Sequence, residues 1–116
     1  MLYISNAFSI SMLGQVPQQG LTVRVRPIHA GDVEGLLKIQ EWKSAVGHAS
    51  TAAVLSTLLG VEIPPNRVSI TLQAGDVLIV FQLGIRLEEG KILSSDEVAA
   101  LVEEGKATFF LVEVLS

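Results

Sequence analysis

Ala74-Gly75-Asp76-Val77-Leu78-Ile79-Val80-Phe81-Gln82-Leu83-Gly84-Ile85-Arg86 is the stretch on which the fold turns. It opens with small and acidic residues of the kind turns require, then runs on as an apolar segment of strand length and composition. A second apolar run, Arg67 to Gln73, precedes the turn, and the spacing predicts an antiparallel hairpin between the two.

Working outward, Ala49 to Leu59 is dense in Ala and Leu and reads as a helix, with Gly60 placed as its C-terminal cap and Pro64-Pro65 soon after. Leu21, Val23 and Val25 alternate with Thr22, Arg24 and Arg26, the period of a half-buried strand. Leu2-Tyr3-Ile4 begins a short strand that ends in the polar turn Ser5-Asn6, and Ala7 to Leu13 has room for one or two helical turns. Residues His29 to Lys43 stay ambiguous: Val33, Leu36, Leu37 and Ile39 fit helical spacing, while Gly31 and Gly35 weaken any helix. Downstream, Ser94-Ser95-Asp96-Glu97 supplies caps and first-turn acids for a helix to about Glu104, and Gly105 ends it. Thr108 to Leu115 reads as a mostly buried strand. The sum is an α+β fold, one compact domain over residues 1–116, with a mixed, mostly antiparallel sheet of about five strands and two or three short helices.

A chain that is 49% hydrophobic and 17% charged has the opposite of the composition of disorder, so it folds. Its net charge of −4 gives no basic field with which to hold a long nucleic acid, and any phosphate must be bound locally. The absence of cysteine excludes disulfides and thiolate metal sites. Ser44 to Val61 carries no Lys, Arg, Asp or Glu, but it is polar at His48, Ser50, Thr51, Ser56 and Thr57, which argues against a membrane span. With no secretory signal pattern at the N-terminus, a cytoplasmic location is expected.

Four polar islands interrupt the apolar chain: Ser5 to Ser11, Gly47 to Thr51, Asn66-Arg67-Val68, and Arg86-Leu87-Glu88-Glu89-Gly90-Lys91. Each stands at a strand end or helix start, where a scaffold presents groups to a ligand. His48 precedes a helix start, beside Gly47 and ahead of the hydroxyls of Ser50 and Thr51, a place suited to an anion. Histidine as a residue type exchanges protons near neutral pH and serves as a general acid; equally, such a residue caps a helix or closes a core edge. Arg86 offers a planar fork to a phosphate, with a neighbouring glutamate to orient or protonate the histidine; the same cluster also reads as a solvated strand end. Arg67 is a second phosphate anchor or a strand-edge cation. His29 has no partner at a useful spacing and reads as structural, while Trp42 and the pair Phe109-Phe110 read as packing residues. Two histidines without a compact carboxylate pattern make a poor zinc site, and no phosphate-loop or dinucleotide fingerprint is present, so no metal and no cofactor are expected.

Taken together, Ser5-Asn6-Ala7-Phe8-Ser9-Ile10, Gly47-His48 with Ser50-Thr51, Asn66-Arg67-Val68, Arg86-Leu87-Glu88-Glu89-Gly90-Lys91 and Gly105-Lys106 with Phe109-Phe110 resemble, in order and spacing, the viral type III anti-CRISPR ring nucleases and their bacterial relatives. The resemblance implies a homodimer that binds cyclic tetra-adenylate across its two-fold axis. It further implies that the ring is cut without metal to linear di-adenylate ending in a 2′,3′-cyclic phosphate, switching off type III CRISPR effector signalling. It casts His48 as the general acid, Glu89 as its acidic partner and Arg86 as the residue that stabilises the scissile phosphate. Asn6, Ser9, Ser11, Ser50, Thr51, Arg67 and Gln82 form the implied ligand-holding set. The chain departs from the family pattern at Ala49, where aspartate is usual, at Ser11, where asparagine is usual, and at Gly84-Ile85, where Ser-Gln is usual. The competing reading is a non-catalytic cyclic-nucleotide-binding or protein-interaction module.

Overall fold

The computed structural model describes residues 1–85 and 93–116. In chain order the elements are β1 (Leu2–Ser5), a 3-10 turn (Ile10–Leu13), β2 (Val23–Ile28), α1 (Ala30–Ile39), β3 (Trp42–Ala45), α2 (Ala49–Leu59), β4 (Val77–Leu83), α3 (Ser95–Glu103) and β5 (Ala107–Val114). The strands form one sheet in the order β2-β5-β4-β1-β3. β1 pairs parallel with both β3 and β4, whereas β5 pairs antiparallel, over longer stretches, with both β2 and β4, so the sheet is mixed and most of its paired residues are antiparallel.

The apolar run from Val77 to Leu83 is continuous because β4 lies inside the sheet and is covered on both faces. Ile79 and Phe81 point to the helical side, where Leu2, Ile4, Phe109 and Leu111 meet Val33 and Leu37 of α1, Ala52, Leu55 and Leu59 of α2, and Val98 and Leu101 of α3. Leu78 and Val80 point the other way, into a smaller core with Val112, Val114, Leu13 and Leu72. Both edges of β4 are thereby taken by β1 and β5, and this overturns the expected hairpin. Residues 67–73 form no strand among the described residues. They cross the second face instead, where the Leu72 N–H donates to the Met12 carbonyl at 2.6 Å. The turn itself forms as read: Gly75 takes a left-handed φ of 92°, and Asp76 Oδ2 accepts the Gln73 N–H at 2.8 Å.

The segment left ambiguous by the sequence holds α1 and β3. Gly31 and Gly35 border open space, and burial of Val33 and Leu37, four residues apart on one face, outweighs their unfavourable helix propensity. Lys38 and Glu34 add an i,i+4 ion pair at 2.6 Å. The other two helices begin and end where the sequence places them. Gly60 closes α2 at φ 65°, and Ser94 and Glu97 form a reciprocal capping box at the start of α3. Among the described residues no helix is long and apolar enough to cross a membrane, and the charge-free stretch from Ser44 to Val61 is accounted for by β3 and the eleven residues of α2.

At the outer edge, Arg24 of β2 lies opposite Glu113 of β5, and its guanidinium donates to both carboxylate oxygens at 2.8 and 3.0 Å, with Arg26 Nε at 3.5 Å. The Arg24 hydrogen bond is the main cause that holds the Glu113 carboxyl below the usual 4.5, with partial burial opposing it and Arg26 assisting. A depressed carboxyl contributes stability that is present above pH 4.5 and is lost as pH falls through its lower folded value. Glu113→Gln is therefore expected to flatten the acid-side decline of the melting temperature below that pH. Parallel curves for the two proteins would show that the bridge contributes nothing to folding.

Candidate functional site

Because β1, β3 and β4 run parallel, their C-terminal ends emerge on one side of the sheet, and in open sheets with parallel strands that is where ligands bind. Ser5 pairs in register with Ala45, so the chain leaving β1 and the chain leaving β3 start out side by side. Buried Ser5 stitches them: its Oγ donates to the Ala45 carbonyl at 3.2 Å and accepts the Ala7 N–H at 3.4 Å. One residue further, Asn6 Oδ1 accepts the Gly47 N–H at 3.1 Å. The first and second polar islands, 41 positions apart in sequence, thus become one surface.

His48 occupies the N-cap of α2 in an extended conformation, with its carbonyl accepting the Ala52 N–H at 2.9 Å. Its imidazole makes no capping hydrogen bond and is exposed, so His48 caps α2 through its backbone alone and is not a core-edge residue. Ser50 and Thr51, half-buried, lie in the first turn that follows, where the helix leaves backbone N–H groups without partners of its own. Arg67 comes from the segment after Pro64-Pro65, and a side chain on Gly47 would begin 3.7 Å from its Cγ. That is ordinary contact distance, so the arginine stem passes close to the loop that carries His48.

Around Asn6 the surface deepens into a cleft of about 360 Å³ lined by Asn6, Ala7, Phe8, Val25, Val80, Gln82, Phe110 and Val112. Two carboxamides, Asn6 and Gln82, stand among apolar and aromatic walls, the composition of a site for a flat, hydrogen-bonding heterocycle. Ser9 and Ser11 lie beyond Phe8 at the 3-10 turn, their hydroxyls 2.8 Å apart and both exposed. The structure brings Asn6 and Gln82 to one cleft, and ties the His48 loop to that cleft through the Asn6–Gly47 hydrogen bond. Arg86 and Glu89, and the rest of their island, lie outside the described residues. His29 sits at the N-cap of α1 with its carbonyl accepting the Asp32 and Val33 N–H groups. No group of three or more metal-ligating side chains occurs among the described residues.

Phe8, Val25 and Phe110 are cleft residues that the sequence reading did not assign to a ligand site. Phe109 and Phe110 are not a single packing pair: Phe109 is 4% exposed and meets Phe81 with ring centroids 5.0 Å apart, while Phe110, one position on, faces the cleft. The alternation of strand side chains was the available signal.

The chain matches the STIV B116-like family model over residues 2–106. It is 36% identical over 97 residues to uncharacterised protein 26 of Sulfolobus islandicus filamentous virus, covering 84% of this chain and 80% of that one. It is 32% identical over 114 residues to uncharacterised protein ORF116 of Acidianus filamentous virus 1, covering 98% and 96% respectively. Among solved structures it is similar to B116 of Sulfolobus turreted icosahedral virus, with a TM-score of 0.85, 32% identity and 97% of each chain covered. The chain belongs to the STIV B116-like family.

Proposed function

We propose that this STIV B116-like chain is a metal-independent ring nuclease that opens cyclic tetra-adenylate and so switches off type III CRISPR effector signalling in the cytoplasm of the host cell. The observation that carries the reading is the double duty of Asn6, which lines the amide-and-aromatic cleft and holds Gly47, the residue next to an uncommitted histidine. Asparagine and glutamine carboxamides match the donor–acceptor edge of adenine, and Phe8 and Phe110 supply apolar wall for its face. With His48 as general acid and the cleft as the base site, the Asn6–Gly47 bond supports a pairing that cleavage of a nucleotide ring needs.

The nucleophile belongs to the substrate. A ribose 2′-hydroxyl gives up its proton to solvent as it attacks the adjacent phosphorus, an O2′–P bond forms, and the P–O5′ bond breaks, leaving a 2′,3′-cyclic phosphate and a 5′-hydroxyl; two such cuts turn the ring into two linear di-adenylates. No water is consumed, so the protein has to align the ring and manage charge. His48 delivers the proton to the departing 5′-oxygen. By the residue pattern, Arg86 offsets charge on the phosphoryl oxygens and Glu89 orients or recharges the histidine. Ser9, Ser11, Ser50, Thr51 and Arg67 hold the ring's polar groups. A two-fold dimer of the chain would present equivalent edges to a four-fold repeated ring.

Incubation of the protein with cyclic tetra-adenylate in excess chelator, resolved by liquid chromatography and mass spectrometry, is expected to yield linear di-adenylate with a cyclic phosphate terminus. A strict need for added divalent metal would overturn the mechanism. A ring that binds but stays intact would leave a sequestering module, and absence of binding to any cyclic oligoadenylate would leave a protein-interaction role.

A further inference from the structure

Three hydrogen bonds join the end of β3 to the segment that carries Arg67. Ser44 Oγ donates to the Pro64 carbonyl at 2.6 Å, Asn66 Nδ2 donates to the Ser44 carbonyl at 2.8 Å, and the Asn66 backbone N–H donates to the Val46 carbonyl at 2.7 Å. Ser44 is only 6% exposed, and its Oγ also accepts the Val46 N–H at 3.3 Å, so its hydroxyl cannot exchange these partners for water without cost. The residues that follow this seam on its two sides are Gly47-His48 and Arg67. Gly47 is gripped by Asn6 through its N–H and lies close to the Arg67 stem.

We infer that Asn66, with Ser44 beneath it, is a positioning residue that fixes Arg67 against the Gly47-His48 loop, so that a phosphate anchor and the general acid are presented as one unit. The inference rests on the ring-nuclease reading for its catalytic consequence. Its geometry belongs to the chain alone. Asn66 touches no substrate in this scheme; its side-chain amide is spent on the Ser44 carbonyl, and its effect reaches the ring through Arg67.

The test is a double-substitution cycle. Binding of cyclic tetra-adenylate is measured in the His48→Ala background, where the ring stays intact, for Asn66→Ala, Arg67→Ala and the pair. A single hydrogen bond of ordinary net worth corresponds to roughly a two- to tenfold change in an equilibrium. Asn66→Ala is expected to weaken binding by about that factor when Arg67 is present and to have no effect when Arg67 is already alanine. Equal factors in both backgrounds are the behaviour of independent sites and would overturn the assignment, leaving the seam as a loop staple. Asn66→Asp, which keeps the size of the side chain but puts a carboxylate that cannot donate opposite the Ser44 carbonyl, carries the same cycle if Asn66→Ala does not fold. A parallel measurement needs no ligand: the amide resonances of Gly47 and His48 are expected to shift in Asn66→Ala, and unmoved resonances would overturn the coupling. If the unaltered chain neither binds nor cuts the ring, the nuclease reading falls, while shifted resonances still uphold the coupling of the two loops.

Discussion

His48→Ala is expected to slow ring opening by about 10²–10⁴-fold, the usual worth of a positioned general acid, while leaving ring binding and the melting temperature nearly unchanged. The second half of that expectation follows from geometry. The imidazole is exposed and makes no capping bond, and the hydrogen bond that starts α2 comes from the His48 backbone carbonyl, which alanine retains. The helix therefore keeps its first turn. Single-turnover cleavage in excess chelator measures the first quantity, and equilibrium binding with thermal unfolding measures the other two. An interaction made only in the transition state lowers turnover without raising the dissociation constant, and that pattern separates an acid from a ligand contact. Unaltered turnover in the variant would remove His48 from the chemistry. A large loss of binding would instead make it a phosphate-holding residue.

Local signals were the legible part of this fold. α2 from Ala49 to Leu59 with its Gly60 cap, the Ser94 capping box, and the strand cores of β1 and β5 are all written within a dozen residues and form where the sequence places them, while β2 runs two residues later than the expected Leu21 to Arg26 and leaves Val25 exposed. What the sequence did not carry is partner choice. The turn at Gly75 forms, but Val77–Leu83 pairs with Leu2–Ser5 and Ala107–Val114 instead of its upstream neighbour, since a strand buried on both faces is claimed by whichever long-range partners complete the sheet. The site divides the same way. His48, Asn6 and Arg67 stood out as polar interruptions of an apolar chain, whereas Gln82 was named only through the family resemblance. The contact that unites the first two, Asn6 with Gly47, follows from the parallel register of β1 with β3, which no local pattern encodes. For α1, the two glycines hid a helix whose stability comes from Val33 and Leu37 meeting the rest of the core.

Phe81→Ala and Phe110→Ala are expected to fail in different ways, and the contrast tests the division of the sheet into a structural and a functional face. Phe81, 1% exposed, is packed in the helical-side core against Phe109, and its removal leaves a cavity that costs about 3–5 kcal/mol. For a domain of this size that corresponds to a fall in melting temperature of roughly 10–20 °C. Phe110 is half-buried on the opposite face, against the smaller core and the cleft, so its truncation removes fewer contacts and costs markedly less stability. If the cleft takes an adenine, Phe110→Ala forfeits base contact worth about 1–3 kcal/mol, a loss of roughly five- to 150-fold in ring affinity at a temperature where the variant is still folded. Thermal unfolding and ring binding, measured on both proteins at a temperature below either transition, separate the two effects. A Phe110→Ala protein that binds the ring as tightly as the unaltered chain would place the base elsewhere on the molecule and detach the cleft from the His48 loop as a working unit.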